Sequence, residues 1–139
     1  MNQNQFTQKS MEALQRAQAL ASEYSQQTLE QAHLLYALLE NPQGLISQLM
    51  TKMNRDAELL RAAALEEIEK LPRIKGLARE QNKAYISQNM DKAMQEAGRI
   101  AERMKDEYLS VEHLFMGLIS APDRSIKALF NRFTINEHD

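Results

Sequence analysis

The chain has 139 residues, enough for one ordinary domain, and its 43% hydrophobic and 26% charged residues are typical of a globular protein rather than a disordered one. Seventeen basic residues against 19 acidic ones give a formal charge of −2, which argues against a nucleic-acid-binding surface. The absence of cysteine excludes disulfides, thiolate metal sites and a cysteine nucleophile, and it fits a cytoplasmic protein.

The sequence pattern does not indicate a membrane protein. No apolar stretch reaches the roughly 20 residues of a membrane span, and the polar start MNQNQFTQKS lacks the apolar core of a signal peptide. Four glycines and three prolines leave few positions that break helices, so an all-β fold is improbable. The sequence predicts a soluble all-α protein.

Apolar residues recur at helical spacing along most of the chain. They predict a first helix from about residue 7 to 23 and a second that opens at Thr28 or Glu30 and ends near Pro42, because proline cannot continue a helix. A third helix is expected from about 43 to 53 and a fourth from about 55 to 70. Pro72 and Gly76 open a polar stretch, 71–85, which predicts a linker. Helical spacing resumes at Ser87.

The second half of the chain repeats the first. A shift of 80 residues aligns 6–50 with 86–130 without gaps and gives 12 identities in 45 positions, among them His33 with His113 and Pro42 with Pro122. Two copies of a helical unit indicate a duplication whose halves pack together, since one unit cannot bury its own apolar face. We expect a single domain over 1–139, with repeat one at 6–70 and repeat two at 86–139, in a pseudo-twofold helical bundle.

Each repeat is expected to hold four helices. In the second copy the fourth would start near Ile135, four residues before Asp139. The last helix is therefore expected to be truncated, at a boundary within a longer protein or at a misplaced domain border.

Few residues offer chemistry. The four glycines never form a phosphate-binding loop, so nucleotide hydrolysis by this segment is not expected. The histidines at 33, 113 and 138 form no HExxH pair and predict no metal site. Because His33 and His113 are related by the repeat, their simplest interpretation is a structural role at the start of matching helices. No serine lies on a glycine-flanked nucleophile turn.

A binding surface is the remaining possibility. Eight methionines are many for this length, and methionine adapts to irregular apolar surfaces. Those at 11, 90, 94, 104 and 116 either fill the repeat interface or line a groove for varied peptides. Asp106 and Glu112 flank the start of a predicted helix. They either cap that helix or form a polar rim beside an apolar groove.

Four stretches carry a family resemblance. QFTQKSMEALQRAQALA, LEQAHLLYALLENP, EKLPRIKG and LSVEHLFMGLI closely resemble the N-terminal domain of Clp ATPases, in order and over essentially the whole chain. Within that family the chain is most similar to the ClpB branch, the ring-forming disaggregases. ClpC and ClpA relatives typically carry a Gly-His pair just before a repeated Thr-Glu-His, and the corresponding stretches here, SEYSQQTLEQAH and RMKDEYLSVEH, have no Gly-His. Gln31-Ala32 departs from the residues that relatives often have before the first histidine.

The resemblance implies an eight-helix pseudo-twofold bundle joined to ATPase rings. It implies engagement of unfolded or aggregated polypeptide at Thr7, Asp106 and Glu112, and we expect the apolar residues Met94 and Leu109 to adjoin them. No cofactor is expected here. ATP and magnesium, a homohexamer and cooperation with a DnaK-type chaperone system through other domains are expected for the full-length protein, and a monomer for the isolated domain.

Three alternatives stay open at this point. An adaptor-docking domain of a ClpC- or ClpA-type protease unfoldase would bind one partner tightly. A helix-turn-helix regulator would need a basic stripe that the composition does not provide. A small helical hydrolase would need a catalytic constellation that the residues do not offer.

Overall fold

A computed structural model describes residues 5–74 and 84–136. These residues form seven α-helices and two very short strands: α1 Gln8–Glu23, β1 Thr28–Leu29, α2 Gln31–Leu39, α3 Leu45–Lys52, α4 Ala57–Lys70, β2 Tyr85–Ile86, α5 Gln88–Arg103, α6 Val111–Ser120 and α7 Arg124–Arg132. The all-α prediction is confirmed.

Short polar side chains start four of the helices. Thr7, Asp56, Ser87 and Asp123 each precede a helix in extended backbone, and each side-chain oxygen accepts a hydrogen bond from the N–H three residues later. Such caps satisfy one of the donors that a helix start leaves without an intrahelical partner. Local sequence therefore fixes where α1, α4, α5 and α7 begin.

The helix ends carry the mark of the duplication. The non-glycine residues with positive φ in the described chain are Ser25, Asn54, Lys105 and Thr134, which form two pairs 80 residues apart. Each follows a helix, and the next residue donates its N–H to a carbonyl five residues back, as Gln26 does to Ala21 and Asp106 to Ala101, both at 2.9 Å. The two halves thus end their helices with the same left-handed motif.

Backbone pairing crosses between the halves. β1 pairs in parallel with β2, with Leu29 opposite Ile86, and Phe6 forms a parallel bridge with Leu109. These are the same pairing twice under the repeat, because position 29 corresponds to 109 and position 6 to 86. The segment before the first helix of each half is therefore bound to the segment before the second helix of the other half.

Helix packing also joins the two repeats. α1 packs against α2 and α5 against α6, while α2 and α3 also contact α6 across the repeats. α4 lies against α2 and α7, and Ile68 and Leu60 on α4 are buried. Arg55, just before α4, donates from Nε and Nη2 to the Thr134 carbonyl at 3.0 and 2.8 Å. α4 and its approach thus join repeat one to the end of repeat two.

Most predicted helix positions agree with the structure, with small differences. α3 begins two residues after the predicted start because Gly44 is its N-cap. β2 occupies the end of the predicted linker, which sequence patterning missed because two residues are too few to show alternation. Residues 75–83, including Gly76, and His138 lie outside the described residues. The last three residues do too, so the expected truncated helix near Ile135, the linker and the repeat limits stay predictions.

His33 and His113 begin α2 and α6 in the same way. Each Nδ1 accepts the N–H of the residue three before it, from Glu30 in the first half and Ser110 in the second, both at 2.9 Å. Nε2 must then carry the ring proton. It donates to Gln26 Oε1 at 2.6 Å in the first half and to Asp106 Oδ2 at 2.7 Å in the second. This arrangement agrees with the structural interpretation of both histidines.

The first of these histidines is fully buried under α4. Gln26, its partner, is also buried and donates from Nε2 to the Ile68 carbonyl at the end of α4, at 2.7 Å. Burial lowers the pKa of His33 from its usual 6.5 to about 4. The neutral ring is therefore the form that the folded chain accommodates.

We expect stability to fall as pH drops from about 6.5 to 4. The unfolded chain takes up a proton at His33 in this range and the folded chain does not, so protons favour unfolding, by at most about 3 kcal/mol. Urea unfolding at pH 7 and pH 4.5 measures the change. His33→Asn keeps a side-chain acceptor at the position of Nδ1 and removes the titration, so its stability should change less. Burial raises the pKa of Asp123, but this residue is present in both proteins and contributes equally to both pH dependences. Equal pH slopes for both proteins would contradict the assignment of the stability loss to His33.

α5 and α6 approach closely at Gly117. A Cβ placed there would lie 2.5 Å from the Ala93 carbonyl oxygen and 3.0 Å from Ala97 Cβ. Backbone atoms cannot move aside as a flexible side chain can, so the contact needs glycine. The other glycine of this helix pair, Gly98, has no heavy atom within 4 Å of such a Cβ.

These two glycines give opposite expectations for the same substitution. Gly117→Ala should destabilise the chain by about 1–3 kcal/mol through overpacking. Gly98→Ala should stabilise it by about 0.5–1 kcal/mol, because alanine loses less backbone entropy in a helix. Urea denaturation of the two variants checks both signs. Equal stabilisation by both would show that α5 and α6 are not packed this closely.

Candidate functional site

A candidate site on the described surface is a groove between the repeats, with a volume of about 640 Å³. We call it the inter-repeat groove. It is lined by Thr7, Lys9, Glu12, Ala13 and Arg16 of α1 and its cap, by Ala37, Leu38 and Glu40 at the end of α2, by the loop residues Asn41, Gln43 and Gly44, by Leu45 and Ile46 of α3, and by Ser110, Val111 and Glu112 at the start of α6.

The groove has an apolar floor and a charged rim. Ile46 and Leu38 are buried at its base, whereas Leu45 keeps 49% of its surface exposed. On the rim, Arg16 donates to both carboxylate oxygens of Glu40 at 2.8 and 2.9 Å and to Glu23 at 2.8 Å. These carboxylates raise the pKa of Arg16 above its usual value. This clamp fixes α1 to the end of α2 and neutralises the cation on that side.

Thr7 and Glu112, which belong to opposite repeats, both line this groove. Crossed pairing brings them together, because the Thr7 N–H donates to the Leu109 carbonyl at 3.0 Å. Thr7 also caps α1 through its hydroxyl, which accepts from the Ser10 N–H at 3.1 Å. It therefore has a structural role and a place on the groove wall at once.

Glu112 stands between two grooves. It also borders a second groove of about 580 Å³ along α3 and α6, which we call the α3–α6 groove. Its apolar lining is Leu49, Met53, Ile100, Phe115, Met116 and Ile119. Glu112 is exposed in the first turn of α6, and within the described residues its carboxylate has no ion-pair partner. A free carboxylate between two apolar surfaces can attract cationic or N–H-bearing groups of a ligand.

Asp106 lies outside the lining of both grooves. One of its carboxylate oxygens accepts from His113, and its side chain remains 44% exposed. Gln26, the equivalent residue in the first half, is covered by the end of α4, a place that favours an uncharged side chain. Within the described residues no helix that corresponds to α4 covers Asp106. Asp106 thus positions the histidine that caps α6, and its role in binding stays a prediction.

The two apolar residues proposed beside them are packed into the protein. Leu109 is 1% exposed and Met94 is half-buried against the core. The Leu109 backbone also joins the two repeats. Its carbonyl accepts from the Thr7 N–H at 3.0 Å and from Ser10 Oγ at 2.9 Å. Leu109 therefore has a packing and pairing role, and neither residue lines the two grooves.

Sequence reasoning missed several lining residues. Val111, Leu45 and Met53 face the grooves, but their apolar character looks the same as that of core positions. Of the methionines singled out, Met90 is fully buried, Met104 is exposed and Met116 lines the α3–α6 groove. The aligned repeats could have drawn attention to Val111, because its counterpart is the polar Gln31.

Other kinds of site find little support in the described part of the chain. Residues 5–74 and 84–136 contain no group of three or more histidine, aspartate and glutamate side chains placed to hold a metal ion. No helix in these ranges is long and apolar enough to cross a bilayer.

Comparison with known proteins identifies relatives over almost the whole chain. Residues 5–133 match the family model described as the Clp repeat (R) N-terminal domain. A "Chaperone protein ClpB" of Bacillus cereus is 37% identical over 137 residues, covering 99% of this chain and 16% of that protein. The Porphyromonas gingivalis protein of the same name is 36% identical over 120 residues, covering 86% and 13%. The chain therefore spans about one-sixth of such relatives' length.

Solved structures have the same fold. The Hsp104 N-terminal domain from Candida albicans superposes with a TM-score of 0.82 at 19% identity, covering 96% of this chain and 84% of that one. A ClpV N-domain in complex with a VipB peptide gives a TM-score of 0.71 at 15% identity, covering 97% and 84%. With the repeat, the crossed pairing and the family match together, the chain belongs to the Clp N-terminal domain family and is similar in sequence to the ClpB chaperones.

Proposed function

We propose that this chain is the substrate-recognition domain of a ClpB-type ATP-dependent chaperone, a protein disaggregase. It binds exposed apolar segments of unfolded or aggregated polypeptide and passes them to the ATPase ring. The observation that carries this proposal is the inter-repeat groove, with its apolar floor, its charged rim and a lining drawn from both repeats.

The groove has the properties of a peptide site. Its volume of about 640 Å³ lies within the range of about 300–1,000 Å³ that is usual for ligand pockets. Leu45 and Val111 offer apolar surface to many ligand sequences, and Arg16 and Glu40 on the rim are already paired with each other. Such a surface suits weak, reversible binding of many unfolded chains better than tight binding of one folded partner.

The neighbouring α3–α6 groove extends the apolar surface past Glu112. Met53 and Met116 line it, and flexible thioether side chains can adapt to different ligands. An extended polypeptide could place apolar side chains in both grooves, with a basic residue or backbone N–H groups near Glu112. The ClpV N-domain, solved with a VipB peptide, supports peptide binding by a domain of this fold.

The proposal extends to the full-length protein. This domain contributes binding and no catalysis, and ATP and magnesium act in the ring of the full-length protein. We infer a cytoplasmic homohexamer that works with a DnaK-type chaperone system through other domains, and a monomeric isolated domain without nucleic-acid or membrane binding. Adaptor docking, as in ClpC- or ClpA-type unfoldases, is the alternative.

A titration of the isotopically labelled chain tests the proposal. The ligand is a reduced, carboxymethylated and permanently unfolded protein, and the readout is the set of amide NMR shifts. We expect shifts around Thr7, Leu45, Val111 and Glu112 with weak affinity. Leu45→Asp should weaken binding about five- to tenfold, because it removes half-exposed apolar contact and adds a charge. An aspartate in the first turn of α3 favours the helix, so the fold should persist.

Leu59→Asp is the matched control. Leu59 is 59% exposed, also lies in the first turn of its helix and lines neither groove. This variant should bind like the parent chain. Equal weakening by both substitutions would indicate non-specific apolar contact. An absence of shifts with any unfolded protein would favour the adaptor alternative over the recognition of unfolded chains.

A further inference from the structure

The repeat maps the inter-repeat groove onto a second place in the molecule. Because the two halves align at a shift of 80 residues, every groove residue on one half has a counterpart on the other. The counterparts that matter are Gln31 for Val111, Asn89 for Lys9, Ala121 for Asn41, Asp123 for Gln43 and Gly117 for Ala37. Differences between the halves at these positions decide whether the second place is also open.

Gln31 fills the second place. Its side chain is fully buried, and its Nε2 donates to the carbonyls of Asn89 at 2.8 Å and Ala121 at 2.9 Å. Its Oε1 accepts the Asp123 N–H at 2.9 Å. One carboxamide thus joins the start of α2 to the start of α5 and to the α6–α7 loop, with both of its N–H groups and its oxygen in use.

Closer helix packing acts in the same direction. Gly117 has no side chain where Ala37 presents a methyl group to the open groove, and the space beside it is occupied by the Ala93 carbonyl. α6 therefore sits nearer to α5 than a side chain at this position would allow. The second place is therefore narrower on its helix side, and Gln31 fills what remains.

The open groove needs no such side chain. The Val111 side chain has no hydrogen-bonding group. The backbone donors of the loop beside it are paired within the loop: the Gln43 N–H donates to Asn41 Oδ1 at 2.9 Å, and the Gly44 N–H donates to the Asn41 carbonyl at 2.9 Å. These backbone donors are therefore paired even though the open groove has no glutamine at the position that corresponds to Gln31. An apolar ligand can enter without first breaking a hydrogen bond.

We propose that Gln31 is an internal plug that makes the domain monovalent: one extended apolar polypeptide segment binds in the inter-repeat groove, and the carboxamide of Gln31 closes the equivalent place. This inference rests on the proposed function for its ligand. Val111 is the residue that determines which half accepts the segment. On the charged rim, Glu112 has no ion-pair partner within residues 5–74 and 84–136, and Arg16 is neutralised by Glu40. This rim favours a segment that carries no acidic residue.

Transplanting the plug tests the inference. The double variant Val111→Gln with Asn41→Ala copies into the inter-repeat groove the pair found at Gln31 and Ala121. We expect its stability to stay near that of the parent and its affinity for the unfolded probe protein to fall at least tenfold. One protected side-chain amide should also appear in the NMR spectrum in addition to those of the buried Gln26 and Gln31. The matched control Val111→Ala with Asn41→Ala leaves the groove open and should bind.

The reverse change gives a second arm. Gln31→Val removes the plug, so a folded variant should show a new set of ligand-induced shifts at the starts of α5 and α2 and bind two segments. A folded Gln31→Val protein with only the original shifts would overturn the inference. If that variant does not fold, the double variant decides, and its binding the probe as tightly as its control would overturn it too.

The two proposals fail in different ways. If the parent chain does not bind the unfolded protein, the proposed function fails. The plug is then still tested without ligand, because the Gln31 side-chain amide in the parent and the added one in the double variant should both exchange slowly. Fast exchange of the Gln31 amide would refute the plug itself.

Discussion

The fold depends on one interaction made twice, the crossed backbone pairing between the halves. The Thr7 N–H bonds to the Leu109 carbonyl at 3.0 Å, and the Ser87 N–H bonds to the Leu29 carbonyl at 3.2 Å. In both cases the N-cap residue of a first helix bonds to the segment just before the second helix of the other repeat. This pairing satisfies a donor that helix starts usually leave to water and sets α1 beside α6. The inter-repeat groove exists because these two helix starts are held together.

The open groove arises where the two halves differ. A perfectly symmetric duplication would present the same groove twice. Here Gln31 and Gly117 close one copy, while Val111 and Ala37 leave the other open. A similar difference separates Gln26, a carboxamide covered by α4, from Asp106, a partly exposed carboxyl group beside His113. The duplication supplies the scaffold, and a few substitutions on it distinguish a packed face from a binding face.

Sequence patterning could predict the helices, the duplication and the shared histidines, because each leaves a regular signal over many residues. The family resemblance implied Thr7, Asp106 and Glu112 as site residues, and of these Thr7 and Glu112 line the inter-repeat groove. Sequence patterning could not show that Leu109 is a core residue or that Met94 is half-buried, since an apolar side chain at helical spacing looks the same in a core and in a groove. The crossed strands were missed because each is two residues long. The plug at Gln31 depends on three backbone groups that are far apart in the sequence.

Amide hydrogen exchange of Thr7 and Ser87 tests the central claim most directly. An N-cap amide normally exchanges fast, as we expect for Asp56, whose N–H has no protein acceptor within the described residues. If the crossed pairing joins the repeats, the Thr7 and Ser87 amides should be protected nearly as well as those of the buried core helices, and to a similar degree. Exchange of either as fast as that of Asp56 would contradict the account, since the repeats would then not be joined in this way.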